Sequence, residues 1–518
     1  MCDLIFYNAN VTTMDPAQPL AELVAISGSR IAHVAGNGKL EQLRKPGTRI
    51  VDCKGRTLLP GFIDAHCHVL AYAESLVSLK LSPREGIRSI SDIQCSVRGF
   101  SRSRAAGTWI RGKGYNEFYL SEGRHPTRHD LDAAAPLHPV KLTHRSGHAH
   151  VLNSLALEQI GIAAETGDPP RGLIDRDPET GVPTGILYGM GEYLAARVPV
   201  VDDSEIERGL VLANEQLLAY GITSVQDATS NNNRHQWRRF EYWKRQGILQ
   251  SRITMMMDYG EFTESGLKSF PSSIAQDELK LGGVKIIVNH VTGSLQPGLE
   301  DLSESVSAIN AAGLQIAIHA IEEPEIEAAG DAIANALSLN PRRDHRHRIE
   351  HCSVCPPQLM EKLVGLGITV VTQPSFIYYS GDRYLKTVSA DQMKHLYAVG
   401  SMLRNNLQVG FSSDFPISDP NPLVGIYSAV TRMTEGGNSV LPQQCIHVSD
   451  ALRMYTLDAA AAGFDEKDRG SIIPGKLADL VMLSENPCAV DAACIKDIRV
   501  TMTVLDGRIV WSDGTLSL

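Results

Sequence analysis

The stretch Gly61-Phe62-Ile63-Asp64-Ala65-His66-Cys67-His68, GFIDAHCH, closes an apolar run with two histidines one residue apart. Successive side chains of a β-strand alternate faces, so His66 and His68 point the same way and Cys67 the other. Two imidazoles on one face of a strand end can share one metal ion. An isolated HxH also arises by chance in any histidine-containing chain, so the reading rests on what the sequence sets beside it.

Outward from this stretch, TLLPGFIDAH (57–66) is the first of eight short β-branched runs, each followed by a helical pattern. The others are GITSVQDA (221–228), SRITMMMD (251–258), GVKIIVN (283–289), LQIAIHA (314–320), RHRIEH (346–351), ITVVTQP (368–374) and QVGFSSD (408–414). Such alternation is the signature of βα units and a parallel sheet, and eight units predict a (β/α)8 TIM barrel of the α/β class. The interval between runs one and two is far longer than the rest, so residues from about 70 to 215 are read as an insertion after strand 1. Within it, PVKLTHRSGHAH (139–150) reads as a strand entering a polar turn, giving the insertion α+β character. Both chain ends differ in rhythm. LIFYNANV, RIAHVAG and RIVDCKG before residue 59, and LADLVMLS and VTMTVLDGRIVWSDG near the C-terminus, read as short strands of one shared β-domain. Asp506-Gly507 is a hairpin signal.

The 518 residues suffice for one large barrel with a companion domain. With 43% hydrophobic and 21% charged residues, the composition is that of a soluble globular protein. A net charge of -10 argues against a polyanion-binding surface, so no nucleic-acid partner is expected. The start lacks a basic segment followed by a long apolar one, and no apolar run has membrane-spanning length, so a cytoplasmic enzyme without membrane contact is expected. The nine cysteines show no framework spacing and read as free thiols, and Cys352-Ser-Val-Cys355 lacks a second CxxC to complete a zinc site. The basic run RRDHRHR (342–348) reads as a solvated face.

In a TIM barrel the active site lies at the C-terminal ends of the strands. There the first run carries His66 and His68, the fourth Lys285, the fifth His319, the sixth His351 and the eighth Asp414. All but lysine are direct ligands of divalent metals such as zinc. Taken singly, each histidine also fits a hydrogen-bonded core residue and Asp414 a loop residue. Their joint placement on one rim favours a metal centre.

At this point the sequence resembles the amidohydrolase superfamily, and within it the YtcJ-like proteins of amidohydrolase family 3. The resemblance runs almost end to end, through LPGFIDAHCH (59–68), HPTRHDLDAAAPLHPV (125–140), SGH (146–148), PTGIL (183–187), GITSVQDA (221–228), GVKI (283–286), RIEH (348–351), Gln373-Pro374, SSDFP (412–416) and GSIIPGKLADLVML (470–483). It implies a distorted TIM barrel over residues 60–465 and a composite β-sandwich from residues 1–59 and 466–518. It further implies two Zn2+ ions per subunit, with Mn2+ or Fe2+ as alternatives, on His66, His68, Lys285, His319, His351 and Asp414. In such relatives carbon dioxide converts the lysine to an anionic carbamate that bridges both metals. An unmodified ammonium beside two cations is strongly disfavoured in a low-dielectric pocket, which leaves modification of Lys285 or a single-metal site.

Two departures bear on the substrate: relatives read K-x-x-x-D-G-S where this chain has Lys285-Ile-Ile-Val-Asn289-His290-Val291, and a glutamate where it has Gly189. The implied chemistry is hydrolysis of a C–N amide-type bond (N-acyl, N-formyl or cyclic amide) in a small molecule by metal-activated water. Asp414 is the expected general acid/base and His148 the candidate oxyanion donor. Tyr115, Asn116, Tyr188, His290, Gln373, Tyr379 and Arg383 are the candidate substrate-binding residues. Deamination, ester, lactone or C–C hydrolysis, and a non-catalytic homologue, are the competing readings. A homodimer or larger homo-oligomer is expected.

Overall fold

All eight runs form strands of a single parallel sheet, in chain order: β1 (Phe62–Cys67), β2 (Ile222–Asp227), β3 (Arg252–Asp258), β4 (Leu279–Ile287), β5 (Ile316–Ala320), β6 (Arg348–His351), β7 (Thr369–Thr372) and β8 (Gln408–Phe411). This computed structural model describes residues 2–102, 104–169, 172–199, 201–265, 278–291 and 294–516. The barrel belongs to a unit of Met1–Val69 and Asn214–Leu518, and a second compact unit spans Leu70–Ala213. Strands β1, β2, β6 and β7 are buried along their whole length, as expected of strands covered on both faces and matching their β-branched, apolar sequences.

No ladder pairs β8 with β1. Instead, Ser413 N–H donates to Asp64 Oδ1 (3.1 Å), Asp414 N–H to the His66 carbonyl (3.0 Å) and His68 N–H to the Phe415 carbonyl (2.9 Å). The segment after β8 therefore forms the seam and lies along the HxH.

The run 57–66, read as one barrel strand, is two. Thr57–Pro60 pairs with Asn10–Thr12 and Leu480–Leu483, and β1 begins only at Phe62. Gly61 marks the break because a Cβ there would lie 2.3 Å from Thr223 Oγ1, so only glycine lets the chain cross at this distance.

Strands of both chain ends meet in one six-stranded sheet, ordered Arg508–Ser512, Val500–Leu505, Leu480–Leu483, Thr57–Pro60, Asn10–Thr12, Leu20–Ala21. A four-stranded sheet of Arg30–Ala35, Leu23–Ser27, Leu4–Tyr7 and Arg49–Asp52 shares its core, with Phe6, Val24 and Ile26 clustering against Leu58, Leu480 and Met502. The Asp506-Gly507 hairpin has φ of 54° and 73°, the left-handed pair that a two-residue turn between twisted strands demands.

At the N-terminal ends of the barrel strands, ion pairs hold the wall. Arg252 reaches Asp479 (2.6 Å) and Asp506 (3.1 Å), Lys280 reaches Asp465 (2.8 Å) and Arg346 reaches Glu466 (2.8 Å). The run RRDHRHR is not simply a solvated face: His345 and His347 are buried, spaced i,i+2 so that both imidazoles turn inward.

The Leu70–Ala213 unit holds a six-stranded mixed sheet, with Val140–His144 and Ala149–Leu152 antiparallel at its centre. Helix Ile90–Ser101 is capped by Ser89, whose Oγ accepts from Asp92 N–H, and it buries Ile93 and Val97 in the core with Leu142 and Val151. All nine cysteines are free thiols, Cys352 and Cys355 among the buried ones. Among the described residues no helix is long and apolar enough to cross a membrane.

Candidate metal centre

The C-terminal rim gathers imidazoles from three strands. His66 ends β1, and its ring centroid lies 5.4 Å from that of His68 and 4.8 Å from that of His351. His319 of β5 lies 4.5 Å from His351, centroid to centroid. Alternation along β6 would set His351 on the face opposite Glu350, but His351 has φ 72°, a left-handed conformation that non-glycine residues rarely adopt. Asp414 has φ 59° for the same re-aiming, held by its N–H bond to His66. Such strained backbone is retained where the surroundings over-determine it, and both residues sit at the centre.

The rings are oriented from behind. His66 Nδ1 lies 2.5 Å from Glu350 Oε2, His68 Nδ1 lies 3.1 Å from Thr229 Oγ1, and His351 Nδ1 lies 2.8 Å from Gln373 Oε1. A carboxylate can only accept, so His66 Nδ1 carries the proton and its Nε2 presents a lone pair. That lone pair faces Asp414 Oδ1 at 3.7 Å, and His68 Nε2 lies 3.0 Å from the same oxygen.

Two electron-rich atoms facing each other call for a cation between them. A proton does not meet the need on His66, because burial, helped by the Lys285 charge, pushes its pKa down to about 3. Burial likewise holds His319 well below, and His351 below, the ordinary imidazole range. Burial opposes ionisation of Asp414, but the hydrogen bond from His68 and the nearby His66 outweigh it and keep the carboxyl ionised. Lys285 Nζ is buried with no hydrogen-bond partner among the described residues, and desolvation lowers its pKa to about 8. Neutral imidazoles, an ionised carboxylate and an unsatisfied amine suit a divalent metal. Among the described residues, His66, His68 and Asp414 form the one set of three or more His, Cys, Asp or Glu whose ligand atoms all lie within 4.8 Å of one another.

Other expected site residues fall differently. Gln373, expected to meet substrate, is fully buried, with Oε1 2.8 Å from His351 Nδ1 and Nε2 donating to Ser412 Oγ (2.9 Å). Tyr115 is a core residue of the inserted unit with its hydroxyl 2.9 Å from His125 Nδ1, and Asn116 caps a turn by accepting from Phe118 N–H. Both are spent internally because the register shift at Gly114 (φ 94°) turns Tyr115 into the core, and the chain bends at Asn116. Tyr188 is half-buried, its ring 5.8 Å from that of His125. His148 is exposed in the turn before Ala149–Leu152. His290 is exposed, Tyr379 and Arg383 are half-buried, and the Arg383 guanidinium stands 4.7 Å over the Tyr384 ring.

Glu350 and Arg348 were not among the expected site residues. Arg348, fully buried, donates from Nε and Nη2 to Glu350 Oε1 (2.7 Å) and Oε2 (2.8 Å), from Nη2 to the Ala65 carbonyl of β1 (2.8 Å), and from Nη1 to Gln226 Oε1 of β2. Burial opposes ionisation of Glu350, but the Arg348 guanidinium and the His66 contact hold its pKa well below the ordinary range. The i,i+2 spacing of Arg348 and Glu350 in RIEH put both on one strand face, the available signal.

An eight-stranded parallel barrel with imidazoles and a carboxylate converging on its C-terminal rim defines a class, the barrel hydrolases that work through a bound metal. A sequence model described as "Amidohydrolase family" matches residues 49–511, and the chain belongs to that family. It is 28% identical to the N-substituted formamide deformylase of Arthrobacter pascens over 98% of each chain. A Bacillus subtilis (strain 168) amidohydrolase named YtcJ is 27% identical, across 92% of this chain and 94% of its own. A solved structure of an uncharacterized metal-dependent hydrolase from Pyrococcus horikoshii superposes with a TM-score of 0.76 at 23% identity, covering 95% of this chain and 99% of that one.

Proposed function

We propose that the protein hydrolyses a C–N amide-type bond of a small molecule, with N-substituted formamides and other N-acyl amines as the first substrate class to examine. The observation that carries this is the convergence of His66, His68 and Asp414 in front of His351 and His319, with Lys285 buried and unsatisfied beside them. The named activity of the Arthrobacter relative, similar from end to end, points to the formyl class. His66, His68 and Asp414 would hold one Zn2+ ion and His319 and His351 a second, with Lys285 joining both as its carbamate. Such ions supply Lewis acidity and lower the pKa of bound water.

Lys285 supports this because an amine with a pKa near 8 is partly neutral at physiological pH. Its nitrogen attacks the carbon of carbon dioxide, forms an N–C bond and releases one proton, leaving an anionic carbamate. Asp414, ionised, accepts a proton from the attacking water and returns it to the leaving amine nitrogen. The test is a hydrolysis screen over N-formyl, N-acyl, lactam and ester compounds with protein reloaded with zinc in bicarbonate. Release of formate or carboxylic acid with equimolar amine is expected. A fully metal-loaded protein that turns over none of the C–N compounds would refute the assignment.

A further inference from the structure

The three oriented histidines have chemically different partners: anionic Glu350 behind His66, a neutral amide (Gln373) behind His351, and a neutral hydroxyl (Thr229) behind His68. A carboxylate accepting the Nδ1–H of a ligating imidazole fixes its tautomer and raises the donor strength of Nε2 more than a neutral acceptor does. Glu350 has little freedom to turn away, because Arg348 grips both its oxygens while anchored to Ala65 and Gln226 across the barrel. His319, by contrast, has no hydrogen-bond partner for its ring nitrogens among the described residues, and its ring packs edge-on against that of His351. Finally, the ligand atoms of His66, His68 and Asp414 already cluster within 4.8 Å.

We propose that Glu350, locked by Arg348, is a positioning residue that makes the two halves of the centre unequal: the first divalent cation binds tightly at His66, His68 and Asp414, and the second binds more weakly on the His319–His351 side. This rests on the metal-dependent reading above but not on any substrate.

The test is a titration of chelator-stripped full-length protein with Co2+ in bicarbonate buffer, with affinities read by competition with a chromophoric chelator. The wild type is expected to show one tight and one weaker equivalent. Glu350→Gln, and the paired Arg348→Met/Glu350→Gln that leaves no buried charge alone, should weaken the first equivalent about 10- to 100-fold. Gln373→Leu should weaken the second and spare the first. Two equal wild-type sites, an unchanged first affinity in the Glu350 variants, or equal weakening of both equivalents would overturn the proposal.

Should the variants fail to fold, the wild type at one equivalent of Co2+ decides. Its paramagnetically shifted, exchangeable imidazole N–H resonances should persist in a His319→Asn variant. Their loss there would place the first ion on the wrong side. No step measures hydrolysis, so failure of the substrate assignment and failure of this proposal are separable.

Discussion

The barrel contains two histidine pairs with the same ring spacing and opposite fates. His345 and His347, near the N-terminal ends of the strands, lie 4.5 Å apart by centroid, as do His319 and His351 at the C-terminal rim. In the lower pair, His347 Nδ1 accepts from Ile316 N–H and its Nε2 meets Asn310 Oδ1, while His345 Nδ1 accepts from His347 N–H and its Nε2 meets the Leu366 carbonyl. All four nitrogens are consumed by the protein. In the upper pair His351 uses only Nδ1 among the described residues, on Gln373. The charges divide alike: cations below face carboxylates at 2.6 to 2.8 Å, whereas Lys285 above has none in bonding range among the described residues. Burial and spacing do not distinguish a structural histidine from a ligand. What distinguishes them is the number of nitrogens left over.

Substitutions can break that contrast. Asp414→Asn should lower kcat by about 10^2- to 10^4-fold with the fold intact by circular dichroism, since it removes the proton acceptor. His347→Asn, at the other end, should leave turnover per bound metal unchanged. Arg252→Met should cost about 3–5 kcal/mol in urea unfolding by stranding Asp479, buried at 5% exposure, while the folded protein keeps its metal affinity. Adding Asp479→Leu should recover much of that loss. Gly61→Ala should destabilise by about 1–3 kcal/mol through its clash with Thr223, and Thr223→Ala should recover only part of that loss, since the Cβ at 223 stays 2.8 Å away.

The smallest effect is a pH slope. Burial pushes His347 from 6.5 to about 3, so between these values the unfolded chain binds a proton that the folded one excludes. Stability is then fully present above pH 6.5 and falls as pH drops toward 3. The urea midpoint of His347→Asn should fall less steeply over this window than that of the wild type.

The eight strands were legible because each run is short, β-branched and bounded by turn residues. His66, His68, His319, His351 and Asp414 were legible because they close those runs. The turn at His351 was not, since its left-handed φ is imposed by its surroundings rather than by residue type. The break at Gly61 was missed because apolar character continues through it, and only the approach of Thr223 reveals two sheets. Tyr115 and Gln373 were expected at substrate because polar aromatics and amides near a rim suit that role, and only their bonds show them facing inward. The role of Glu350 needed the third dimension: its partner His66, and the Ala65 carbonyl that anchors its clamp Arg348, are each more than 280 positions away in the chain.

The bonds from Ser413 and Asp414 to β1 do two jobs with one set of atoms. Sealing the cylinder and delivering the carboxylate to the paired imidazoles become a single event, completed only when the eighth repeat docks on the first. A nascent chain that has not yet emitted residue 414 therefore has neither a closed wall nor the complete cluster of His66, His68 and Asp414.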